Sequence, residues 1–278
     1  MPKAAVVIPI YQPLINKYEE ISLNQCAKVL RGYSTIFVCP GSLDTALYQS
    51  YIPNASIERF DDDYFNGIAG YNQLMLSLGF YKRFEKFEYI LIYQLDAYVF
   101  RDELEYWCNQ GYDYIGAPIP EEIIQGLNRQ HVADFTIELK PDSPLLNGGY
   151  SLRKIKAFIE ITKENSNFIH EHLEKKWYED VIVSILFSLS QKYTLPSVET
   201  ALHFSFEGYP SQSFIKTNKQ MPMGCHGWFK TDSDVYDCMF WFKHIIPFFY
   251  YRLIIKRKIR KAIKRSVHAL NSLLSLGK

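Results

Sequence analysis

Asp96 ends the run Tyr89-Ile90-Leu91-Ile92-Tyr93-Gln94-Leu95-Asp96, where five apolar or aromatic residues lead to a lone carboxylate. The run reads as a buried strand, and a charge at its end is costly unless a cation or hydrogen-bond donors meet it. Ligands bind at the carboxyl ends of strands in open α/β sheets. Asp96 is therefore expected to face a ligand, most economically a metal–phosphate group; the alternative is an Asp capping a turn. Asn147-Gly148-Gly149-Tyr150-Ser151-Leu152-Arg153 is the second candidate. Adjacent glycines allow close approach of backbone to a ligand, and Asn offers a donor and an acceptor to a sugar hydroxyl; an ordinary tight turn would also use them. Glu179-Asp180 opens the apolar run Val181–Leu189. Acids at a helix start are favoured by the dipole and its free N–H groups, and the same place suits Asp180 as a general base aimed into a cleft. In Gly224-Cys225-His226-Gly227-Trp228-Phe229-Lys230, a neutral His226 could ligate Mn²⁺ or Mg²⁺ beside a carboxylate. Lys230 could meet a phosphate. A histidine hydrogen-bonded within its loop is the plain alternative. Asp61-Asp62-Asp63 reads as a solvated loop.

Strand and helix signals alternate through the first 120 residues, and these elements must position the candidates. Strands are expected at Ala4–Ile10, Thr35–Cys39, Ser56–Phe60, Tyr89–Tyr93 and Asp113–Gly116, with helices over Asn16–Leu30 and Ala69–Phe84. This order implies βαβ units and an α/β fold with a mostly parallel sheet covered by helices on both faces. Further on, helices are expected at Ile155–Asn165 and Tyr178–Leu189, an extended segment at Thr194–Phe206 and a long loop over 207–235. A loop of that length is usually functional or disordered, and its aromatic residues favour an ordered site.

The formal net charge of +1 hides an asymmetry. Residues 1–237 carry 21 basic and 30 acidic side chains, a net of −9; residues 238–278 carry ten basic side chains and no acid. We divide the chain there, into a body (1–237) and an aromatic and basic tail (238–278). The acidic body argues against nucleic acid as a partner, and the tail argues for an anionic surface nearby. From Ile255 to Leu270 the apolar residues fall at three- and four-residue steps among seven Lys and Arg, the pattern of an amphipathic helix with a cationic face. The longest apolar run is interrupted by Arg252, far short of the ~20 residues that span a bilayer, so residues 243–275 are expected to lie on an anionic membrane. A helix docked on the body or in a dimer is the alternative. The five cysteines contain no CxxC pair, which disfavours a zinc ribbon and suits reduced thiols in the cytoplasm.

Taken in order, Val6-Val7-Ile8-Pro9-Ile10-Tyr11, Phe80-Tyr81 before the central strand, Tyr93-Gln94-Leu95-Asp96-Ala97, Tyr112–Pro118, Asn147-Gly148-Gly149, Glu179-Asp180-Val181 and Cys225-His226-Gly227-Trp228 resemble the GT-A-fold glycosyltransferases. More narrowly, they resemble a bacterial family defined as a domain of unknown function and associated with surface-polysaccharide synthesis. The resemblance spans roughly residues 3–235. It implies a transferase that moves a sugar from a nucleotide-diphosphate sugar to a glycan or lipid-linked acceptor, peripheral on the inner face of the cell membrane. The strand-end motif of that fold is usually Asp-x-Asp; here Gln94 replaces the first acid and Asp96 matches the last. The resemblance makes Asp96 and His226 the ligands of Mn²⁺ or Mg²⁺. It sets Pro9 and Tyr11 by the nucleotide, Gln94, Asn147, Gly148, Gly149 and Lys230 around the donor, and Trp228 against the acceptor. It makes Glu179-Asp180 the acidic pair of an inverting enzyme, with Asp180 as base. A non-catalytic sugar- or nucleotide-binding module is the main rival, sustained by Gln94. A glycoside hydrolase is disfavoured by the βαβ start, and a sugar nucleotidyltransferase by Tyr11-Gln12-Pro13 where a Gly-rich basic loop would stand.

Overall fold

A computed structural model describes residues 3–120, 144–231, 237–252 and 255. Strand β1 (Ala4–Pro9) is fully buried and is flanked in parallel by β2 (Ser34–Pro40) and β4 (Tyr89–Tyr93); β3 (Ser56–Phe60) extends the sheet beyond β2. The chain then returns antiparallel to β4 as β7 (Tyr150–Lys154), on which β6 (Tyr114–Ile115) pairs. The order is β3-β2-β1-β4-β7-β6. A second sheet pairs the short strands β5 (Tyr98–Val99), β9 (Gly224–Cys225) and β8 (Ser205–Phe206).

Alternation along β1 explains why both faces of the main sheet are covered. Ala5 and Val7 join one apolar core with Phe80, Phe158 and Ile182, while Ala4, Val6 and Ile8 join a second with Leu23, Tyr48 and Trp107. Helix α1 (Lys17–Val29) covers the second face. Its start is fixed by Asn16, whose side chain accepts from the Tyr18 and Glu19 amides while Glu19 accepts from the Asn16 amide, a capping box. The helix expected over Ala69–Phe84 is two helices, α3 (Gly67–Met75) and α4 (Leu78–Lys82); α2 (Ala46–Tyr51) precedes them. The break falls where the Ser77 hydroxyl accepts from the Phe80 amide and so starts a new helix. Beyond α5 (Leu104–Asn109) come α6 (Ile155–Glu164), α7 (Ser166–Glu174) and α8 (Glu179–Leu189).

The segment expected to be extended, Thr194–Phe206, is instead largely helix α9 (Val198–Phe204), capped by the Ser197 hydroxyl, with only Ser205–Phe206 in a strand. The expected loop after residue 206 contains α10 (Pro210–Lys216) and β9. Helix α11 (Cys238–Ile245) starts at the proposed body–tail boundary, with Asp237 accepting from the Phe240 amide as its cap. Its Trp241 and Phe242 are buried in a third apolar cluster with Trp228 and Phe206. Apart from Ile255, the expected amphipathic helix from Ile255 to Leu270 lies outside the described residues.

Candidate functional site

The carboxyl end of β4 turns immediately. The Ala97 amide donates to the Gln94 carbonyl, and the Gln94 amide donates to the Gly149 carbonyl, pinning this turn to the strand alongside. The turn delivers Asp96 to a cluster of charges. Asp96 Oδ1 lies 3.0 Å from His226 Nε2 and its Oδ2 lies 3.1 Å from Lys230 Nζ. His226 Nε2 is also 2.9 Å from Gln94 Oε1, and His226 Nδ1 is 3.0 Å from Glu207 Oε1. Burial alone would raise the Asp96 carboxyl and lower the His226 imidazole. At Asp96 the facing His226 and Lys230 more than offset burial and hold the carboxyl well below its usual range; at His226 the carboxylates of Asp96 and Glu207 push the imidazole up to about 9. The left-handed backbone at Gly227 (φ 67°) lets the chain send His226 into this cluster and Trp228 the opposite way.

The Asn147-Gly148-Gly149 segment forms the adjoining wall, and each glycine is there for space. A Cβ on Gly149 would sit 2.1 Å from His226 Nε2, and one on Gly148 would sit 2.0 Å from Glu179 Oε1. Gly116 serves the same segment, since its Cβ would come within 2.1 Å of the Asn147 carbonyl oxygen. Asp180 Oδ2 accepts from the Gly148 amide at 3.2 Å and from Asn147 Nδ2 at 3.3 Å. Burial raises the Asp180 carboxyl, and the nearby Glu179 and Glu207 carboxylates add to that, against the backbone amides of Gly148 and Val181; the net effect is a rise to about 7. A carboxylate at that value is poised to take a proton near neutrality.

Glu179 points the other way. Its Oε1 is 2.8 Å from Arg153 Nη2, both side chains are buried, and Arg153 also donates to Tyr81 Oη, Ser151 Oγ and the Gly148 carbonyl. Asn72 accepts from the Glu179 amide and so serves the start of α8. The expected acidic pair is thus split: Asp180 is presented to the cleft and Glu179 is the anchor of a buried ion pair.

These groups line one cleft of about 710 Å³. Of the expected residues, Pro9, Tyr11, Gln94, Asp96, Asn147, Gly149, Glu179, Asp180, His226 and Lys230 all border it, and Gly148 reaches it through its bond to Asp180. Trp228 does not. It is fully buried, with Nε1 donating to Ser22 Oγ at 2.8 Å, so its indole cannot stack on a ligand; its neighbour Phe229 lines the cleft instead, as do Tyr11, Tyr64, Phe65, Tyr71 and Tyr178. Glu207, Asn72 and Tyr71 join the site without any signal in the sequence, and Arg153 closes the expected motif with no role assigned to it, because these roles depend on contacts between distant segments. Among the described residues no trio of His, Cys, Asp or Glu is arranged to hold a metal. Asp96 Oδ1 and Gln94 Oε1 do converge on His226 Nε2, and the Glu207 carboxylate orients the far side of the imidazole, as is usual for metal-ligating histidines. His226 Nε2 carries a proton in this arrangement, so Asp96, Gln94 and His226 would hold a divalent cation only with that proton displaced, the remaining shell coming from ligand oxygens.

Residues 54–226 match the family model described as "Protein of unknown function (DUF5672)". The chain belongs to this family. A comparison with curated proteins returns no match. Among solved structures the DUF5672 chain is similar to an active-site mutant of LgtC (TM-score 0.56, 13% identity, 87% of this chain and 95% of that chain). The galactosyltransferase LgtC in complex with donor and acceptor sugar analogues is likewise similar (0.53, 12%, 87% and 95%). The apo structure of the bifunctional glycosyltransferase WbbM is similar over 88% of this chain and 50% of that one (0.52, 14%), so the present chain spans half its length. At such identities the likeness concerns the fold, which is the GT-A glycosyltransferase fold expected from the sequence.

Proposed function

We propose that this DUF5672 protein is a nucleotide-sugar-dependent glycosyltransferase that extends a glycan or lipid-linked acceptor in bacterial surface-polysaccharide synthesis. The observation that carries this reading is the pairing, across one cleft, of His226 and Lys230, two cations held by Asp96 at the end of β4, with Asp180, whose carboxyl is raised to about 7. A leaving diphosphate needs the first and an attacking hydroxyl needs the second.

In this reading Asp180 takes the proton of the acceptor hydroxyl as its oxygen bonds to the anomeric carbon. The bond from that carbon to the diphosphate oxygen breaks, and the electron pair leaves with the diphosphate. Gly148 N–H and Asn147 hold the Asp180 carboxylate in place. Lys230, drawn from Asp96, meets the charge that develops on the leaving group. One base and one displacement give inversion at the anomeric carbon. Gln94, Asp96 and His226 would hold Mn²⁺ or Mg²⁺, which when bound lends further positive charge to the diphosphate. The five thiols, none paired, and the basic tail support a peripheral station on the inner face of the cell membrane.

The test is a thermal-shift screen against UDP, GDP, TDP and CMP, each with and without Mn²⁺, followed by transfer assays with the matching sugar nucleotides. A nucleotide at ~100 times its Kd adds about 2.7 kcal/mol. Metal-dependent stabilisation by one nucleotide, with turnover that Asp180→Ala abolishes, is the expected result. Nucleotide binding without turnover would make the protein a sugar- or nucleotide-binding module, and no nucleotide binding would remove the transferase reading.

A further inference from the structure

Past α11 the chain continues in helical residues 247–252 and 255, and this helix has two unlike faces. Inward, Phe249 packs on Phe242 (ring centroids 6.0 Å) and under Lys17 Nζ (4.9 Å). Phe242 stacks on Tyr18 at 5.5 Å, and Tyr18 stacks at 5.4 Å on Phe229, which lines the cleft. This relay of rings fixes the helix to the wall of the functional site. Outward, Phe248, Tyr251 and Ile255 are 82%, 56% and 57% exposed. Phe248 and Tyr251, three residues apart, share one outward face of the helical residues 247–252. With the exposed Ile255 they give three large apolar side chains at the surface, of the kind that marks a contact surface.

Charge selects the occupant. The sequence that follows Ile255 carries Lys256, Arg257, Lys258, Arg260, Lys261, Lys264 and Arg265, and no acid stands anywhere beyond Asp237. A second copy of the chain meeting this face through its own tail would bring like charges together. A surface that is apolar in depth and anionic at its boundary matches both features, and that is an anionic bilayer.

We propose that Phe248, Tyr251 and Ile255 insert at the headgroup level of an anionic membrane, assisted by the adjoining cationic sequence, and that the ring relay from Phe249 to Phe229 thereby holds the body by its cleft wall at the bilayer. The docking itself is independent of the transferase reading; only its use, access to a lipid-linked acceptor, rests on that reading.

The experiment is vesicle co-sedimentation of the full chain. Vesicles of phosphatidylcholine alone are compared with vesicles containing 30% phosphatidylglycerol (roughly the anionic share at which surface potential governs binding). The wild type is expected to partition onto the anionic vesicles and to release as salt is raised. The triple variant Phe248→Ser, Tyr251→Ser, Ile255→Ser should lose at least about tenfold in partitioning, with its melting temperature and its nucleotide-induced shift unchanged. Equal partitioning of variant and wild type would overturn the proposal. So would absence of binding to either vesicle, or a wild-type dimer in sedimentation velocity that the variant disperses. Vesicle binding by a chain that no nucleotide stabilises would sustain the docking surface and remove the transferase reading instead.

Discussion

Asp180 is where the chemistry of this site meets its stability. Its carboxyl titrates near 3.8 in a free chain and at about 7 in the folded protein. Between those values the folded protein holds a proton that the unfolded chain has released, so stability falls as pH rises from about 4 to 7. Asp180→Asn escapes that loss. The variant should match the wild type at pH 4 and exceed it above pH 7 by at most about 4 kcal/mol, less where cleft water screens the charge. Urea melts at the two pH values check this, and a variant no more stable at pH 8 than the wild type refutes the raised carboxyl. The wild-type pH–rate profile for kcat/KM should climb with an apparent pKa near 7, and the variant should retain nucleotide binding while kcat collapses. Gly149 makes a steric prediction at the same scale. A methyl group there meets His226 Nε2 at 2.1 Å, so Gly149→Ala should push the imidazole off Asp96 and cost about 1–3 kcal/mol. Loss of any nucleotide- or Mn²⁺-dependent thermal shift is the readout; an unchanged shift would mean that the His226–Asp96 contact is not needed.

At the scale of elements, β7 and α8 are tied by Arg153 and Glu179, both buried and 2.8 Å apart. Removing one partner strands a charge, so Arg153→Ala should cost about 3–5 kcal/mol, whereas Arg153→Met with Glu179→Leu should be far milder. A double-mutant cycle by denaturant unfolding measures the coupling, and equal losses in the single and double variants would deny the pair its structural role. Much at this scale was legible in advance. β3 and β4 match their expected limits, and α1 differs from Asn16–Leu30 only in that its two end residues act as caps. The failures share a cause. Ser77 reads as one polar residue within a helical stripe, and only its hydroxyl bond to the Phe80 amide shows that a second helix begins. Val198–Phe204 is short, with no period to separate strand from helix, and the Ser197 cap settled it as helix.

Across the whole molecule, the thiols report on how closely the cores are packed. Cys26, Cys39, Cys108 and Cys225 are buried and Cys238 is half-buried, and none is paired. Burial raises all five thiols, and at the four core positions it also bars a reagent from the sulfur. A thiol reagent at pH 8 should therefore modify Cys238 alone in the native protein and all five in urea. Rapid native labelling of a second cysteine, mapped by mass spectrometry, would contradict the packing of the core that holds Cys26, Cys39 and Cys108 or of the cluster that holds Cys225. The charge division between body and tail belongs to this scale as well, because the field of a whole molecule follows from where its charges are grouped.

The sequence by itself determined what local pattern can carry. Apolar runs of strand length, a period of 3.6 in α1 and a lone carboxylate after a buried run are properties of neighbours in the chain, and from them came the mostly parallel α/β sheet and a ligand site at the end of β4; the GT-A fold followed from the resemblance of the ordered motifs. Tertiary structure alone decided which side chain faces which. Glu207 reaches His226 across 19 residues and Arg153 reaches Glu179 across 26. Those contacts separate Asp180, opened to the cleft, from Glu179, locked in the core, although the two are adjacent on the same helix. They also send Trp228 inward to Ser22 and leave Phe229 at the cleft. The reason is physical: burial and Coulomb energy depend on distance in space, and a sequence specifies distance only along the chain.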